Sequence, residues 1–329
     1  MWRTAVLVLA ASFPMLGCSA SLRRGLVTTE AATNLEQVTR SGENEFDPAV
    51  SPDGQTIAFE VARSPDAPPH VEGMALRDIH APAPARIDFA PRGETERQPA
   101  WMPRGDGLVV LSGTDGRYRL AQTFGASLER TTFLADTGNP SLPATWPSVS
   151  PDGTRVAVAL PRLDVFQTGW RSERYLPSAL GVTDLFGSGI TVLGEGTEPS
   201  WSPHGRRLAF SREVDGHAHL FVARADGTGT VQITDGAQDD VEPAWSPDGR
   251  SLVYCERDLT ERGTTRSNLF VVSADGSGLK QLTEGDTQAC RPDWAKDGYV
   301  YFHANATGRF HIWRLRLVVT SEATQGHVP

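Results

Sequence analysis

The sequence predicts an all-β protein, namely a six-bladed β-propeller of four-stranded antiparallel blades that is closed by an N-terminal strand completing the last blade. A short phrase recurs six times, each copy supplies strand-like segments separated by turns, and the first and last copies are incomplete in complementary ways. The first proline of the phrase stands at positions 48, 99, 147, 199, 243 and 292, so successive copies lie 44 to 52 residues apart. A period of roughly 40 to 50 residues built from short strands is typical of propellers, with one blade per repeat.

The fifth copy shows the four strands of a blade, here called A to D. Strand A carries Pro243-Ala244-Trp245 and ends at the turn Ser246-Pro247-Asp248-Gly249, in which proline presets φ and glycine accepts a positive φ. The apolar runs Leu252–Tyr254 and Asn268–Val272 are predicted as strands B and C, and Lys280–Thr283 as strand D.

The two ends of the repeat region complement each other. Residues 35–39 match the D strand at 279–283 but have no A, B or C strand before them. The last copy supplies strand B at 300–302 and strand C at 310–315 but no D strand. The N-terminal strand is therefore expected to pair with the last C strand and close the ring, which removes exposed sheet edges.

The first 17 residues are predicted to be an export signal. Arg3 precedes an apolar stretch of 13 residues, Ala5 to Gly17, which is too short to span a bilayer as a helix. Met15-Leu16-Gly17-Cys18 resembles the bacterial lipobox, which implies lipidation of Cys18, and Ser19 implies sorting to the periplasmic side of the outer membrane. An ordinary secretory signal with an incidental Cys18 is the alternative. Residues 18–33 are expected to form a tether, 34–319 the propeller and 320–329 a C-terminal tail.

Composition limits the function further. With 40 acidic and 31 basic residues the net charge is −9, which argues against a nucleic-acid partner. The chain is predicted to be a monomer that meets the membrane only through its lipid anchor. Cys255 and Cys290 form an even pair in an oxidising compartment and are predicted to be bridged, with two buried free thiols as the competing interpretation.

The repeats resemble those of the TolB propeller family over residues 34–317, most closely in the fourth and fifth copies. The resemblance implies the propeller fold and a binding role. The protein that gives the family its name binds a peptidoglycan-associated lipoprotein through its propeller, and it has an additional N-terminal domain. Only 15 residues separate Cys18 from the first predicted strand, so that domain is not expected here.

The connections from each D strand to the next A strand carry the candidate binding residues. Strand A lines the channel of a propeller, so these charges are expected to ring its mouth, where they would attract a cationic peptide or a hard cation such as Ca²⁺. Aromatic and arginine side chains of the insertion at 161–178 are expected on the same face as partner anchors. The nominated residues are Glu45, Asp47, Glu94, Glu96, Trp170, Arg171, Arg174, Tyr175, Glu198, Asp239, Asp240, Glu242, Asp286 and Arg291. Solubility alone would also explain charged loops.

No catalytic, cofactor or metal site is predicted. Asp53, Asp152 and Asp248 recur at one position, but each is the residue that its turn requires. The pair His217-x-His219 lacks further His or Cys ligands at suitable spacing, and no Gly-x-Ser-x-Gly motif is present. The sequence therefore favours a non-enzymatic, protein-binding or scaffolding lipoprotein of the bacterial envelope. The alternative is a ligand-binding or enzymatic propeller that acts on a glycan or peptidoglycan fragment in the channel.

Overall fold

The computed structural model describes residues 25–62, 73–80, 86–89, 95–114, 117–124, 129–133, 144–161, 178–186, 189–259 and 265–318. Within these ranges every regular element is a β-strand. They form six four-stranded sheets and one two-stranded pair. The prediction of a six-bladed propeller with four-stranded antiparallel blades is confirmed.

The first half of the chain supplies two N-terminal strands and three blades. The N-terminal strands are β1 (Val27–Thr28) and β2 (Ala32–Gln37). Blade 1 contains β3 (Asn44–Val50), β4 (Thr56–Ala62), β5 (Gly73–Asp78) and β6 (Arg86–Phe89). Blade 2 contains β7 (Thr95–Trp101), β8 (Gly107–Thr114), β9 (Arg117–Phe124) and β10 (Glu129–Phe133). Blade 3 contains β11 (Thr145–Val149), β12 (Arg155–Pro161), β13 (Ser178–Asp184) and β14 (Ile190–Glu195).

The second half supplies the other three blades. Blade 4 contains β15 (Thr197–Trp201), β16 (Arg207–Val214), β17 (His217–Arg224) and β18 (Val231–Gln232). Blade 5 contains β19 (Asp239–Trp245), β20 (Ser251–Leu259), β21 (Thr265–Ser273) and β22 (Lys280–Gln281). After the short β23 (Thr283–Glu284), blade 6 contains β24 (Ala289–Trp294), β25 (Tyr299–Ala304) and β26 (His311–Leu317), with β2 as its fourth strand.

The N-terminal strand closes the ring as predicted. In the β2–β26 register, Ala32 lies opposite Leu317 and Gln37 opposite Trp313. The predicted tether at 18–33 is wrong for its last residues, because β1 pairs with β23 and β2 already begins at Ala32. Leu26 and Ala32 are buried in a core cluster shared by blades 5 and 6. A strand of two residues has no periodic pattern, so the sequence did not reveal it.

The Ser-Pro-Asp-Gly turns are held by their own side chains. In the fifth copy the Ser246 hydroxyl donates to Asp248 Oδ1 at 2.6 Å, and Gly249 adopts φ +69°. The same serine oxygen accepts the backbone N–H of Ser251 at 2.9 Å. These bonds give the recurring aspartates a structural role.

Neighbouring blades are joined by the repeated tryptophan and by a disulfide. Trp245 Nε1–H donates to the carbonyl of Ser200 in the preceding blade at 3.0 Å, and Trp101 does the same to Ala49 at 2.9 Å. Cys255 of β20 and Cys290 of β24 form a disulfide between blades 5 and 6, with Cα atoms 5.1 Å apart.

Candidate functional site at the channel mouth

Each inner strand contains a bulge at the proline of the repeat. In β19 the register with β20 shifts between Val241 and Ala244, and the equivalent shift occurs in β3, β7, β11, β15 and β24. A bulge accommodates proline within a strand because the backbone N–H at that position does not have to form a hydrogen bond with the neighbouring strand.

The residue before each proline adopts a left-handed conformation that non-glycine residues rarely take. Six residues share this geometry, with φ between +48° and +58°, and they line one cavity on the propeller axis. We call them the pre-proline ring: Asp47, Gln98, Trp146, Glu198, Glu242 and Arg291. A left-handed non-glycine residue costs about 1 to 3 kcal/mol, so six at equivalent positions require compensating contacts.

Those contacts are hydrogen bonds from one blade to the next. The backbone N–H of Glu242 donates to Glu198 Oε2 at 2.9 Å, and that of Arg291 donates to Glu242 Oε2 at 2.8 Å. Likewise the N–H of Trp146 donates to Gln98 Oε1 at 2.7 Å. A carboxylate or amide in one ring position thus holds the next position in place.

Three ring positions lack an acceptor of the right length or type, namely Asp47, Trp146, whose indole only donates, and Arg291. At Asp47 and Arg291 a residue of strand B supplies the acceptor instead. Asp47 is one methylene shorter than Glu, and the N–H of Gln98 donates instead to Glu60 Oε1 at 2.7 Å. Arg291 has no acceptor atom. The N–H of Asp47 therefore donates to His303 Nδ1 at 3.3 Å, which makes that nitrogen the unprotonated one.

Arg291 closes the channel. Its guanidinium lies 3.3 Å from Asp47 Oδ1 and 3.0 Å from Glu242 Oε1, which belong to the two adjacent blades. Its Cζ also lies 3.2 Å from the ring centre of Trp146, in blade 3 on the opposite side of the propeller. The cavity around the ring measures only about 130 Å³.

The ring forms a buried electrostatic network. Burial raises the pKa of Glu242, but Arg257 and Arg291 outweigh it, so the net pKa is lowered and the group is ionised. Burial and the neighbouring charge of Glu242 raise the pKa of Glu198. Burial, reinforced by Asp47, raises the pKa of Glu60 to about 7, and burial lowers that of His303 to about 4.

A larger cavity lies on the opposite side of the ring, towards the Ser-Pro-Asp-Gly turns. It measures about 610 Å³ and is lined by the repeat prolines and by four tryptophans, namely Trp101, Trp201, Trp245 and Trp294. The channel is therefore a funnel that is wide at the turns and closed at the pre-proline ring.

The structure changes the interpretation of the nominated acids. They were placed in loops, but strand A begins earlier than the sequence indicates, so most belong to strands packed between two blades. The buried ones are Glu45, Glu96, Glu198, Asp239, Asp240 and Glu242. The side chains of Asp47 and Arg291 are partly exposed to solvent. Asp286 is also partly exposed, and its carboxylate lies 3.1 Å from the guanidinium of Arg266. Among the described residues, the nominated acids therefore do not form an exposed ring.

Several buried acids pair with a histidine of the preceding blade. Glu45 Oε2 lies 3.0 Å from His311 Nδ1, and Asp240 Oδ2 lies 3.8 Å from His219 Nδ1. Burial raises the pKa of Asp240, and separately that of Glu96, to about 7.

Sequence reasoning identified four of the six ring positions and missed Gln98 and Trp146. The signal was present, because both stand directly before the repeat proline. Neither residue is charged, so only its position in the repeat marks it as a ring residue. The nominated Cys18, Glu94, Trp170, Arg171, Arg174 and Tyr175 lie outside the described residues.

The fold and the bulged inner strands define the class of this molecule, a six-bladed propeller whose channel is closed by charged side chains. The family model of the TolB beta propeller domain matches residues 190–325. Those residues are therefore similar to a TolB beta propeller domain, as the repeats predict, and the fold of the chain is that of a six-bladed propeller. The comparison with curated proteins finds no match.

Similar solved structures support the fold. A protein described as TolB from Agrobacterium tumefaciens is 17% identical with a TM-score of 0.59, and 91% of this chain aligns with 99% of that chain. TolB from Acinetobacter baumannii is 19% identical with a TM-score of 0.57, and 78% of this chain spans 59% of that one. An oligogalacturonate lyase in complex with manganese is 16% identical with a TM-score of 0.54, and 90% of this chain aligns with 98% of that chain.

Because these structures include a lyase, similarity of fold does not distinguish a binding function from a catalytic one. Among the residues that the structure describes, no helix has the length and apolar character needed to cross a membrane.

Proposed function

We propose that this protein is a non-enzymatic, protein-binding propeller of the bacterial cell envelope, held at the periplasmic side of the outer membrane by lipid on Cys18. One observation favours binding over catalysis: the ring carboxylates are engaged by backbone amides of the neighbouring blade and by arginines of the same or the neighbouring blade. Glu242 accepts the N–H of Arg291 and contacts both Arg257 and Arg291. A carboxylate held in this way maintains the shape of the channel mouth and is not a free general base.

The proposed partner is an envelope protein or peptide that docks on the face carrying the D-to-A connections. The resemblance to TolB-like propellers makes a peptidoglycan-associated lipoprotein the first candidate to test. Trp170, Arg171, Arg174 and Tyr175 are the proposed anchors, because aromatic and arginine side chains dominate interface energetics.

Site-specific photocrosslinking tests the proposed face. Ala237 is exposed in the connection from blade 4 to blade 5, and Gln55 is exposed in a turn on the opposite face. With a photoreactive amino acid at each position in separate strains, we expect a crosslinked envelope protein from position 237 and none from position 55. The reverse pattern would place the partner on the turn face, and crosslinks from neither would contradict docking at the propeller ends.

A second candidate function is binding of a glycan or peptidoglycan fragment in the channel. Trp146 faces the channel axis, and Glu198 and Glu242 have pKa values shifted in opposite directions, as at many carbohydrate sites. Calorimetric titration with oligogalacturonate and with muropeptides tests this candidate. Binding that is lost in Trp146→Ala would favour it over protein docking.

A further inference from the structure

The wall of the wide end of the funnel carries one acidic side chain among six equivalent positions. These positions directly follow the repeat proline of each strand A, and all six line the cavity of about 610 Å³. Their residues are Ala49, Ala100, Ser148, Ser200, Ala244 and Asp293. Five are small and uncharged, so Asp293 is the exception.

The contact that Asp293 makes with the next blade does not require a carboxylate. In blade 3, Ser148 Oγ accepts the N–H of Trp201 in blade 4 at 3.0 Å. Asp293 Oδ2 accepts the equivalent N–H of Val50 in blade 1 at 2.6 Å. Asp293 therefore adds a negative charge and a second oxygen to a contact that a serine hydroxyl makes elsewhere in the ring. No described residue donates a hydrogen bond to that second oxygen, Oδ1.

Among the described residues, no arginine or lysine compensates the charge of Asp293. Burial, reinforced by the charge of Asp297, raises the pKa of Asp293 to about 6, although the N–H of Val50 opposes the shift. The ring acid Glu242 differs, because arginines outweigh its burial. A carboxylate that lines a cavity and lacks a positive partner favours a cationic ligand.

The indole of Trp101 lies close to this carboxylate. Its Nε1–H donates to the carbonyl of Ala49 at 2.9 Å, and Asp293 accepts the N–H of Val50, which belongs to the same peptide group. The two hydrogen bonds and the width of a peptide group place the indole nitrogen within roughly 8 Å of the carboxylate. Asp293 and Trp101 therefore flank one peptide group in the wall of the funnel.

The equivalent tryptophans of blades 4 and 5 already hold a guanidinium. Arg155 Cζ lies 4.6 Å from the ring centre of Trp201, and Arg207 Cζ lies 4.7 Å from that of Trp245. Each arginine is the first residue of strand B in the preceding blade. The two covered tryptophans are only 6% exposed.

Trp101 lacks this cover. The equivalent first residue of strand B in blade 1 is Thr56, which cannot supply a cation. Trp101 is partly exposed, and no arginine of the described residues stacks on its ring. The chain thus leaves open at Trp101 a place that its own guanidinium groups occupy at two equivalent tryptophans.

We propose that the wide end of the funnel binds a small ligand that carries a guanidinium group, with Asp293 as its counter-ion and Trp101 as its stacking surface. Guanidinium groups pair with carboxylates and stack on aromatic rings. The cavity of about 610 Å³ has the size of small-molecule sites, which measure roughly 300 to 1,000 Å³. The site lies on the opposite side of the pre-proline ring from the proposed docking face, so either proposal can fail without the other.

Calorimetric titration of the full-length protein, with its disulfide intact, tests the site with agmatine as the guanidinium probe. N-Carbamoylputrescine is the matched neutral ligand, because a urea group of nearly the same shape replaces the guanidinium. We expect one agmatine per chain and binding of the urea analogue that is weaker by roughly tenfold or more. An arginine tripeptide that binds more tightly than agmatine would assign the funnel to a protein side chain and overturn the assignment to a small ligand.

Two variants separate a ligand site from a structural contact. Asp293→Asn keeps an oxygen for the N–H of Val50 but removes the charge, so the affinity for agmatine should fall by roughly tenfold or more. Thr56→Arg should place a guanidinium on Trp101, raise the melting temperature and weaken agmatine binding. Thr230→Arg adds the same charge at an exposed position beside the outer strand of blade 4 and should leave the affinity unchanged.

Equal affinities for agmatine and its urea analogue would overturn the proposal, as would equal affinities of the wild type and Asp293→Asn. The absence of agmatine binding to the wild type would also overturn it. If the variants do not fold, the indole N–H signal of Trp101 in NMR spectra of the wild type decides. Bound agmatine must shift that signal, and a signal that stays in place on titration would contradict the site.

Discussion

Arg291 determines the shape of the channel mouth more than any other single residue of the pre-proline ring. Its side chain joins blades 5, 6 and 1 through Glu242 and Asp47, and it reaches Trp146 across the axis. Burial lowers the pKa of its guanidinium, but the surrounding carboxylates outweigh this effect, and the net pKa is raised. Arg291 therefore keeps its positive charge, which compensates the negative charge of the surrounding carboxylates.

Replacing Arg291 by Met is expected to destabilise the propeller. Removing one partner of a buried ion pair leaves the other charge uncompensated and typically costs about 3 to 5 kcal/mol. Arg266→Met is the matched control, because Arg266 and its partner Asp286 are more exposed and such pairs contribute about 1 kcal/mol or less. Urea denaturation at pH 7.5 measures both free energies of unfolding. Equal losses in the two variants would mean that the ring network adds no stability.

Glu60→Gln is expected to change how stability depends on pH. Burial raises the pKa of Glu60 from 4.5 to about 7, so the folded state binds the proton more tightly than the unfolded state. The stability from this group is fully present below pH 4.5 and is lost as the pH rises through 7. Glutamine still accepts the N–H of Gln98 but does not titrate. We expect nearly equal unfolding free energies at pH 4 and an advantage of about 3 kcal/mol for the variant at pH 8.

The control for this experiment is Glu213→Gln, at an exposed position. The titration of His303 is common to both proteins and cancels in the difference. A difference between Glu60→Gln and the wild type that stays constant from pH 5 to pH 8 would show that Glu60 is ionised in the folded state throughout.

At the scale of elements, the N-terminal strand is a structural part of blade 6. Besides the β2–β26 pairing, the N–H of Val38 donates to the carbonyl of Ile312 at 2.7 Å, and the hydroxyl of Thr39 accepts the N–H of Ile312 at 2.9 Å. Deleting residues 19–40 would leave β26 as an open edge and expose the cluster around Leu26 and Ala32. We expect the melting temperature to fall by about 10 °C or more. Deleting residues 320–329 should leave it unchanged, and matching melts for the two truncations would contradict closure by β2.

The disulfide between β20 and β24 joins two blades whose inner strands also carry Glu242 and Arg291. It closes a loop of 35 residues, and constraining the unfolded chain in this way contributes on the order of 3 kcal/mol. The double variant Cys255→Ala, Cys290→Ala should lose stability by that amount, and a reductant should lower the wild type to the same level. A wild type that is insensitive to reductant, with no linked peptide in a non-reduced digest, would indicate free thiols.

For the whole molecule, the sequence predicted the architecture well because its signals are local and repeated. The turn at Ser246–Gly249 and its equivalents require particular residues, and the unmatched strands at the two ends indicate closure. The candidate site was predicted only in part. Burial of Glu45 and Asp240 depends on how far strand A extends beyond the bulge, and the role of Trp146 depends on Arg291 reaching across the axis. Both depend on contacts between blades that no single repeat encodes.

The proposed attachment of the whole propeller to a membrane depends on Cys18 alone. Each buried CH₂ of an acyl chain contributes about 0.8 kcal/mol, so a multiply acylated cysteine suffices to hold a soluble domain on a bilayer. Cys18→Ala is expected to move the protein from the membrane fraction to the soluble fraction and to abolish incorporation of labelled palmitate. The melting temperature of the purified propeller should not change, because the described core begins at Leu26. Cys255→Ala is the control for loss of a cysteine as such and should keep the label. A wild-type chain that takes up no palmitate would show that the sequence before Cys18 is an ordinary secretory signal.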